Sequence, residues 1–266
     1  MRWDILSYIL IVYGLLTCVI YFVSDFAIFP APSASYEDTR LGQMIKKLTT
    51  ADGKIITAVY LPNPKASFTL LISHGNGEDL GNILPWLMAF YQHGFSVLGY
   101  DYHGYGTSGG FPSEKNTYRD IDAAYDYLIK TLNISPSQVI IFGRSLGSGP
   151  SIDLASHKPC GGVIIESGFL SAFRVFTYVP LFPVDKYANY LKIKKIHVPM
   201  LFIHGTQDEV IPFWHGDQLY QLANTPKEFF WVKGGLHNNV PEKAGKAYFE
   251  VITKFTHSIE RVSKGF

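Results

Sequence analysis

Apolar positions along this chain follow three patterns, and the first is a block. Residues 5–23 run for 19 positions without a charge. A helix rises 1.5 Å per residue, so this block just crosses a hydrocarbon layer of about 30 Å. Trp3, Tyr8, Tyr21 and Phe22 stand near its ends, where interfacial aromatics sit. A cleaved signal peptide is the rival reading, but its apolar core is normally shorter, about 7 to 15 residues. The prolines in Ala31-Pro32-Ser33-Ala34-Ser35 also make a poor cleavage site. The pattern predicts an uncleaved single-span membrane anchor over residues 1–27, a connector over 28–42 and one folded domain over 43–266.

The second pattern is strand-like. Residues 43–50 and 54–61 are β-prone and are joined by Ala51-Asp52-Gly53, and Asp-Gly is a strong hairpin turn. Six short apolar runs follow, at 68–73, 95–100, 139–142, 162–165, 200–203 and 228–232. They are continuous and not alternating, as strands covered on both faces are. The third pattern is helical and falls between them. Tyr118, Ile121, Ala124, Tyr125, Leu128, Ile129 and Leu132 recur at helical spacing, as do Tyr248, Val251, Ile252, Phe255, Ile259 and Val262. Strand–helix alternation predicts an α/β fold, a mostly parallel eight-stranded sheet with helices on both faces. Right-handed connections put the strand C-terminal ends on one rim, where sites of open α/β sheets lie. Residues 168–196 are too long for one crossover helix and unusually aromatic. They read equally well as a small lid with an acyl-binding wall or as ordinary crossover helices packed on the core.

Composition narrows the field. The chain has 266 residues, 47% of them hydrophobic, which suits one large α/β domain. The formal net charge is +1, with no basic block and no aromatic–basic interleaving, which argues against nucleic acid. Cys18 and Cys160 form neither a disulfide framework nor a metal site. His74, His103 and His204 lack metal-ligand spacing. No metal and no cofactor is expected.

Candidate chemistry lies after the strand-like runs. Residues 139–142 lead into Gly143-Arg144-Ser145-Leu146-Gly147 and then into small helix-compatible residues. This is a Gly-x-Ser-x-Gly nucleophile elbow in its required setting, a strand turning sharply into a helix. A second match, Gly106-Thr107-Ser108-Gly109-Gly110, follows no strand directly and leads into a turn. Asp208 follows the run at 200–203 and His237 the run at 228–232, so Ser145, Asp208 and His237 converge on one rim. A serine hydroxyl needs a base near neutrality, which histidine provides, and a carboxylate fixes the imidazole tautomer. Glu209 and Glu166 remain alternative acids. Two backbone N–H groups should hold a developing oxyanion. One is that of Leu146; the other is that of Asn76 in His74-Gly75-Asn76-Gly77-Glu78-Asp79, with Gly77 as the alternative. His74 reads as a brace of that loop. Arg144 reads either as a contact for an anionic substrate or as salt-bridged scaffold.

These residues stand in a familiar register. His74-Gly75-Asn76-Gly77, Asp101-Tyr102-x-Gly104-Tyr105-Gly106-x-Ser108, Gly143-x-Ser145-x-Gly147, His204-Gly205-Thr206-x-Asp208 and Gly235-x-His237-Asn238 resemble the α/β-hydrolase domain-containing protein 17 group of serine α/β hydrolases, which are protein depalmitoylases. They also resemble related membrane-anchored bacterial and fungal hydrolases. The resemblance spans roughly residues 43–260 and implies Ser145, Asp208 and His237 as a catalytic triad. It stops short of the N-terminus, where the depalmitoylases carry a cysteine-rich lipidated segment and this chain has an apolar span with Cys18 alone. The expectation is a membrane-tethered serine hydrolase acting on acyl esters or thioesters of lipids or lipidated proteins, with palmitoyl-protein thioesterase as its sharpest form. A lysophospholipid or acylglycerol esterase and a catalytically silent scaffold are the alternatives.

Overall fold

Eight strands form where the apolar runs stand: β1 (Ile45–Thr49), β2 (Ile55–Leu61), β3 (Thr69–Ser73), β4 (Ser96–Tyr100), β5 (Val139–Arg144), β6 (Gly162–Glu166), β7 (Met200–Gly205) and β8 (Lys227–Val232). The computed structural model describes residues 2–263; the side chains of Trp3 and Val262, both used in the sequence reading, lie outside what it describes. The strands join in one sheet of order β1-β2-β4-β3-β5-β6-β7-β8. β1 and β2 form the expected hairpin, and β2 also runs antiparallel to β4. All other pairings are parallel; Leu71 of β3, for example, lies opposite Leu98 of β4 and Ile141 of β5. β3, β4, β6 and β7 are buried at every position, which is why they read as unbroken apolar runs.

The helices are α1 (Arg2–Ile28), α2 (Asp38–Leu41), α3 (Leu80–Gln92), α4 (Glu114–Asp126), α5 (Ser148–Ala155), α6 (Ala172–Thr177), α7 (Asn189–Lys192), α8 (Trp214–Leu222), α9 (Val240–Ala244) and α10 (Lys246–Ser263). Successive residues of a strand face opposite sides. Leu70 and Ile72 of β3 therefore join Leu87, Phe90, Tyr248 and Ile252 under α3 and α10. Leu71 joins Ile121, Ala124, Ile152 and Leu219 under α4, α5 and α8. The apolar period seen over residues 118–132 runs past the end of α4 into a π-helical turn, Tyr127–Thr131. The starts of α3 and α4 are fixed by side chains. Asp79 and Asn82 cap α3 reciprocally, and Ser113 accepts from the Asn116 N–H at 3.2 Å.

Two segments bear directly on the rim. The stretch leaving α1 lies against the domain: Phe29, Tyr36 and Leu41 are buried, and the Tyr36 hydroxyl donates to Asp101 Oδ2 at 2.6 Å. Residues 168–196 divide between core and surface. Phe169, Phe173 and Tyr187 are buried in the core, whereas Phe176, Tyr178, Val179 and Leu181 are exposed.

Candidate active site

β5 ends at Arg144, and the chain reverses through one 3-10 turn, Ser145–Gly147, into α5. Ser145 sits in the left-handed region at φ +52°. For a residue with a Cβ that conformation costs about 1–2 kcal/mol, so the surroundings must impose it. Two glycines make the turn possible. A Cβ on Gly143 would lie 2.6 Å from the Gly147 carbonyl and the Ser151 hydroxyl, and a Cβ on Gly147 would enter the Ser73 carbonyl at the end of β3. Strand pairing thus presses the turn inward until only glycine fits on either side of the serine.

Ser145, His237 and Asp208 stand in one hydrogen-bonded line. Ser145 Oγ lies 2.9 Å from His237 Nε2, and His237 Nδ1 lies 2.8 Å and 3.0 Å from the two Asp208 oxygens. An ionised carboxylate only accepts, so Nδ1 carries the proton and Nε2 is left to accept from the serine. All three side chains are nearly buried. Burial alone would raise the Asp208 carboxyl, but hydrogen bonds from His204, His237 and the Ile211 N–H outweigh it and hold the group well below the usual carboxylate range. The alternative acids point elsewhere. Glu209 Oε2 accepts from the His237 backbone N–H at 3.1 Å, which fixes the loop and not the ring. Glu166 faces Arg144 and accepts from the Tyr248 hydroxyl at 2.6 Å.

The loop between β3 and α3 closes the other side. His74 is fully buried, and its Nδ1–H donates to the Gly75 carbonyl at 2.8 Å, the bracing part expected of it. Gly75 N–H donates to Glu78 Oε2 at 3.0 Å, and the Tyr105 hydroxyl donates to Asn76 Oδ1 at 3.0 Å. Asn76 and Leu146 both line the cavity of about 110 Å³ that holds Ser145. Gly77 takes φ +71°, the turn that lets the loop fold back. Asn76 and Ser145 are the polar residues lining this cavity; the rest are apolar, among them Phe169, Val175, Phe176 and Ile211.

Sequence alone does not choose a part for Arg144, and the structure makes it scaffold. Its Nη1 donates to Glu78 at 2.7 Å and 3.0 Å, its Nη2 donates to Asn238 Oδ1 at 3.0 Å, and its Nε lies 3.4 Å from Glu166. Burial lowers the guanidinium pKa, but Glu166 and Glu78 outweigh it and raise the group above its ordinary value. Nothing in the sequence motif signals this junction, because its partners come from two loops and the end of β6. Ser108, the second motif match, is structural: it accepts from the Thr57 N–H at 2.9 Å and donates to the Asp101 carbonyl at 3.1 Å. His103 pairs with the buried Asp120 and takes no part in the rim site. His215, at the start of α8, accepts from the Leu170 N–H at 3.2 Å through Nδ1 and is pushed down to about 4, chiefly by burial.

The sheet order and the serine elbow define an α/β hydrolase. A sequence profile described as serine aminopeptidase, S33, matches residues 64–182. The α/β hydrolase domain-containing protein 17B of Xenopus tropicalis is 42% identical over 214 residues, covering 77% of this chain and 72% of that one. The human protein 17B is 41% identical over 214 residues with the same coverage. An esterase of Pyrococcus furiosus shares the fold with a TM-score of 0.72 at 16% identity, over 87% of this chain and 97% of that one. The chain belongs to the α/β hydrolase domain-containing protein 17 family.

Two predictions follow from the elbow and from His215. Ser145→Gly and Ser145→Ala both remove the hydroxyl, but only the first relieves the left-handed backbone. Ser145→Gly should therefore be more stable than Ser145→Ala by about 1 kcal/mol in denaturant unfolding, reversing the usual order of the two residues. His215 stays neutral in the fold down to about pH 4, whereas the unfolded chain takes up that proton near 6.5. The stability it contributes is complete above pH 6.5 and lost as pH falls toward 4. His215→Gln, which keeps an acceptor for Leu170, should flatten the fall in the urea midpoint between pH 7 and pH 5.

Proposed function

We propose that this protein is a membrane-anchored serine hydrolase that cleaves long-chain acyl esters or thioesters through an acyl-enzyme on Ser145, with palmitoylated protein as the substrate class. The observation that carries the reading is the 2.9 Å contact from Ser145 Oγ to a His237 nitrogen left free to accept by Asp208. In this mechanism His237 Nε2 takes the serine proton as Oγ attacks the acyl carbonyl. The negative charge that develops on the carbonyl oxygen is met by the N–H groups of Leu146 and Asn76, each such donor being worth about 10² to 10³ in rate. The imidazolium returns its proton to the departing sulfur or oxygen, and a water then repeats the sequence to release the acid. Asp208 stays ionised throughout and stabilises the imidazolium.

The apolar cavity beside Ser145 supports an acyl group and not a peptide N-terminus. A peptide ammonium calls for a carboxylate there, and the lining residues offer none. The N-terminal helix supports the anchoring half of the proposal. Its stretch Asp4–Ile28 is long enough to cross a bilayer, and the most apolar 18 residues within it have a mean hydropathy of 2.3 and are 6% buried. We assign residues 1–27 to the anchor, 28–42 to the connector and 43–266 to the hydrolase domain. Acyl chains partition into the bilayer, so tethering beside it concentrates the substrate.

Wild-type protein should label with a fluorophosphonate probe, and Ser145→Ala should not. Asp208→Asn should leave the fold intact while lowering kcat by about 10⁴-fold, because the wrong imidazole tautomer is then favoured. In detergent micelles a palmitoyl-cysteine peptide should turn over faster than a lysophospholipid. The reverse order would replace the thioesterase by a lipid esterase, and an unlabelled wild type would leave a silent scaffold.

A further inference from the structure

α1 is fastened along much of its length to residues 168–196, which form a cap beside it. Asp25 pairs with Lys186, whose ammonium also lies 4.7 Å from the centre of the Tyr21 ring. Twelve residues earlier in α1, the Tyr13 hydroxyl donates to the Leu181 carbonyl at 2.5 Å, and its ring stacks on Phe182 with centroids 6.4 Å apart. From Tyr13 to Ile28 the helix rises about 22 Å. The cap therefore extends along α1 through the part of it that the proposed anchoring places among lipid. Residues 175–184 suit that position: they carry no charge and leave Phe176, Tyr178, Val179 and Leu181 exposed.

Between the two runs an apolar groove of about 340 Å³. Its α1 wall is one helical face, made by Val19, Ile20, Val23, Ser24, Ala27 and Ile28. Phe173, Phe176 and Phe182 face it from the cap. Ala27, Ile28 and Phe176 also line the cavity beside Ser145, so the two spaces adjoin at these residues. The groove's two polar side chains ask for no ligand. Ser24 donates to the Tyr21 carbonyl at 2.9 Å, and Thr177 donates to the carbonyls of Phe173 and Val179 at 3.0 Å and 2.7 Å. The space suits a flexible apolar chain and offers nothing to a polar one.

We infer that α1 is a wall of the substrate site and that the groove it forms with the cap is the acyl-chain channel. The carbonyl end lies at Ser145, the chain runs back along Ala27, Val23 and Val19, and the distal end emerges beside the outward face of α1. Acyl chains thereby pass between bilayer and active site without crossing water. This assignment rests on the serine-hydrolase reading above and adds to it the residues that measure the chain.

The test uses full-length protein in detergent micelles with p-nitrophenyl acetate, octanoate and palmitate. Ala27→Phe narrows the junction of channel and cavity, and the palmitate-to-acetate ratio of kcat/KM should fall about tenfold or more, since each methylene excluded forfeits its burial. Val19 lies about 12 Å further along the helix. Val19→Trp should lower the palmitate-to-octanoate ratio and spare the octanoate-to-acetate ratio. Phe26→Trp, on the outward face at 85% exposure, should change none of the three ratios. Fluorophosphonate labelling of each variant at the wild-type level shows that the serine site is intact. If Ala27→Phe and Val19→Trp label normally and leave all three ratios unchanged, whether or not overall turnover falls, the channel is lost and the hydrolase stands. A wild type that takes up no probe and cleaves none of the esters removes both.

Discussion

One guanidinium holds the site's loops in register. Arg144 ends β5, one residue before Ser145, and reaches the loop between β3 and α3 through Glu78, the end of β6 through Glu166 and the histidine loop through Asn238. Its planar fork suits this position, because hydrogen bonds to two partners and an ion pair to a third leave from one rigid group. A buried ion network is a poor source of net stability, since desolvation offsets most of the attraction. Its effect here is on position. The serine, the imidazole and the loop carrying Asn76 come from distant parts of the chain, and Arg144 ties all three to the backbone that carries the serine. Removing the guanidinium would strand Glu166, which is fully buried, without its cationic partner.

The elbow and the acid add two further constraints of different kinds. Backbone strain at Ser145 is imposed by strand pairing and by glycines that admit no Cβ, so the hydroxyl is aimed by covalent geometry. Asp208 is aimed by donors: the N–H groups of Val210 and Ile211 fix one oxygen, and His204 Nε2 lies 3.3 Å from the other. The imidazole lies between a strained turn and a saturated carboxylate, and the Glu209 carboxylate accepts from its own backbone N–H. Each partner is positioned before any substrate arrives, which is the condition under which fixed dipoles lower a barrier most.

Much of this was legible in the sequence, for reasons that the structure makes plain. Strands buried on both faces must be apolar throughout, so β3, β4, β6 and β7 announced themselves within a residue or two of their ends. Candidate residues directly after strands had to meet on one rim once the sheet was parallel. Pairwise side-chain partnership was not legible. Arg144 reads as substrate contact or scaffold until Glu78, Glu166 and Asn238 are seen around it. Glu209 and Asp208 are neighbours in sequence, and only geometry shows that one meets the ring and the other the backbone. The aromatic content of residues 168–196 could not say that Phe173 is buried while Phe176 stays largely exposed, because α6 is only six residues long, too short to carry a legible period.

The apolar block at the N-terminus carries the largest ambiguity of this kind. Length and hydropathy describe a segment that can cross a membrane and say nothing of what its sides do. In the fold, one side of α1 looks outward through Phe22 and Phe26, and another lines the space that leads to Ser145 through Val23 and Ala27. A side chain selected only for partition into lipid could be any large apolar residue. One selected to leave a channel open must be small, and Ala27, at the junction beside Ser145, is the smallest apolar side chain of that wall. Under the proposed anchoring, membrane attachment and chain recognition become two faces of one helix, and the depth of α1 in a bilayer would also set the depth from which an acyl chain is drawn.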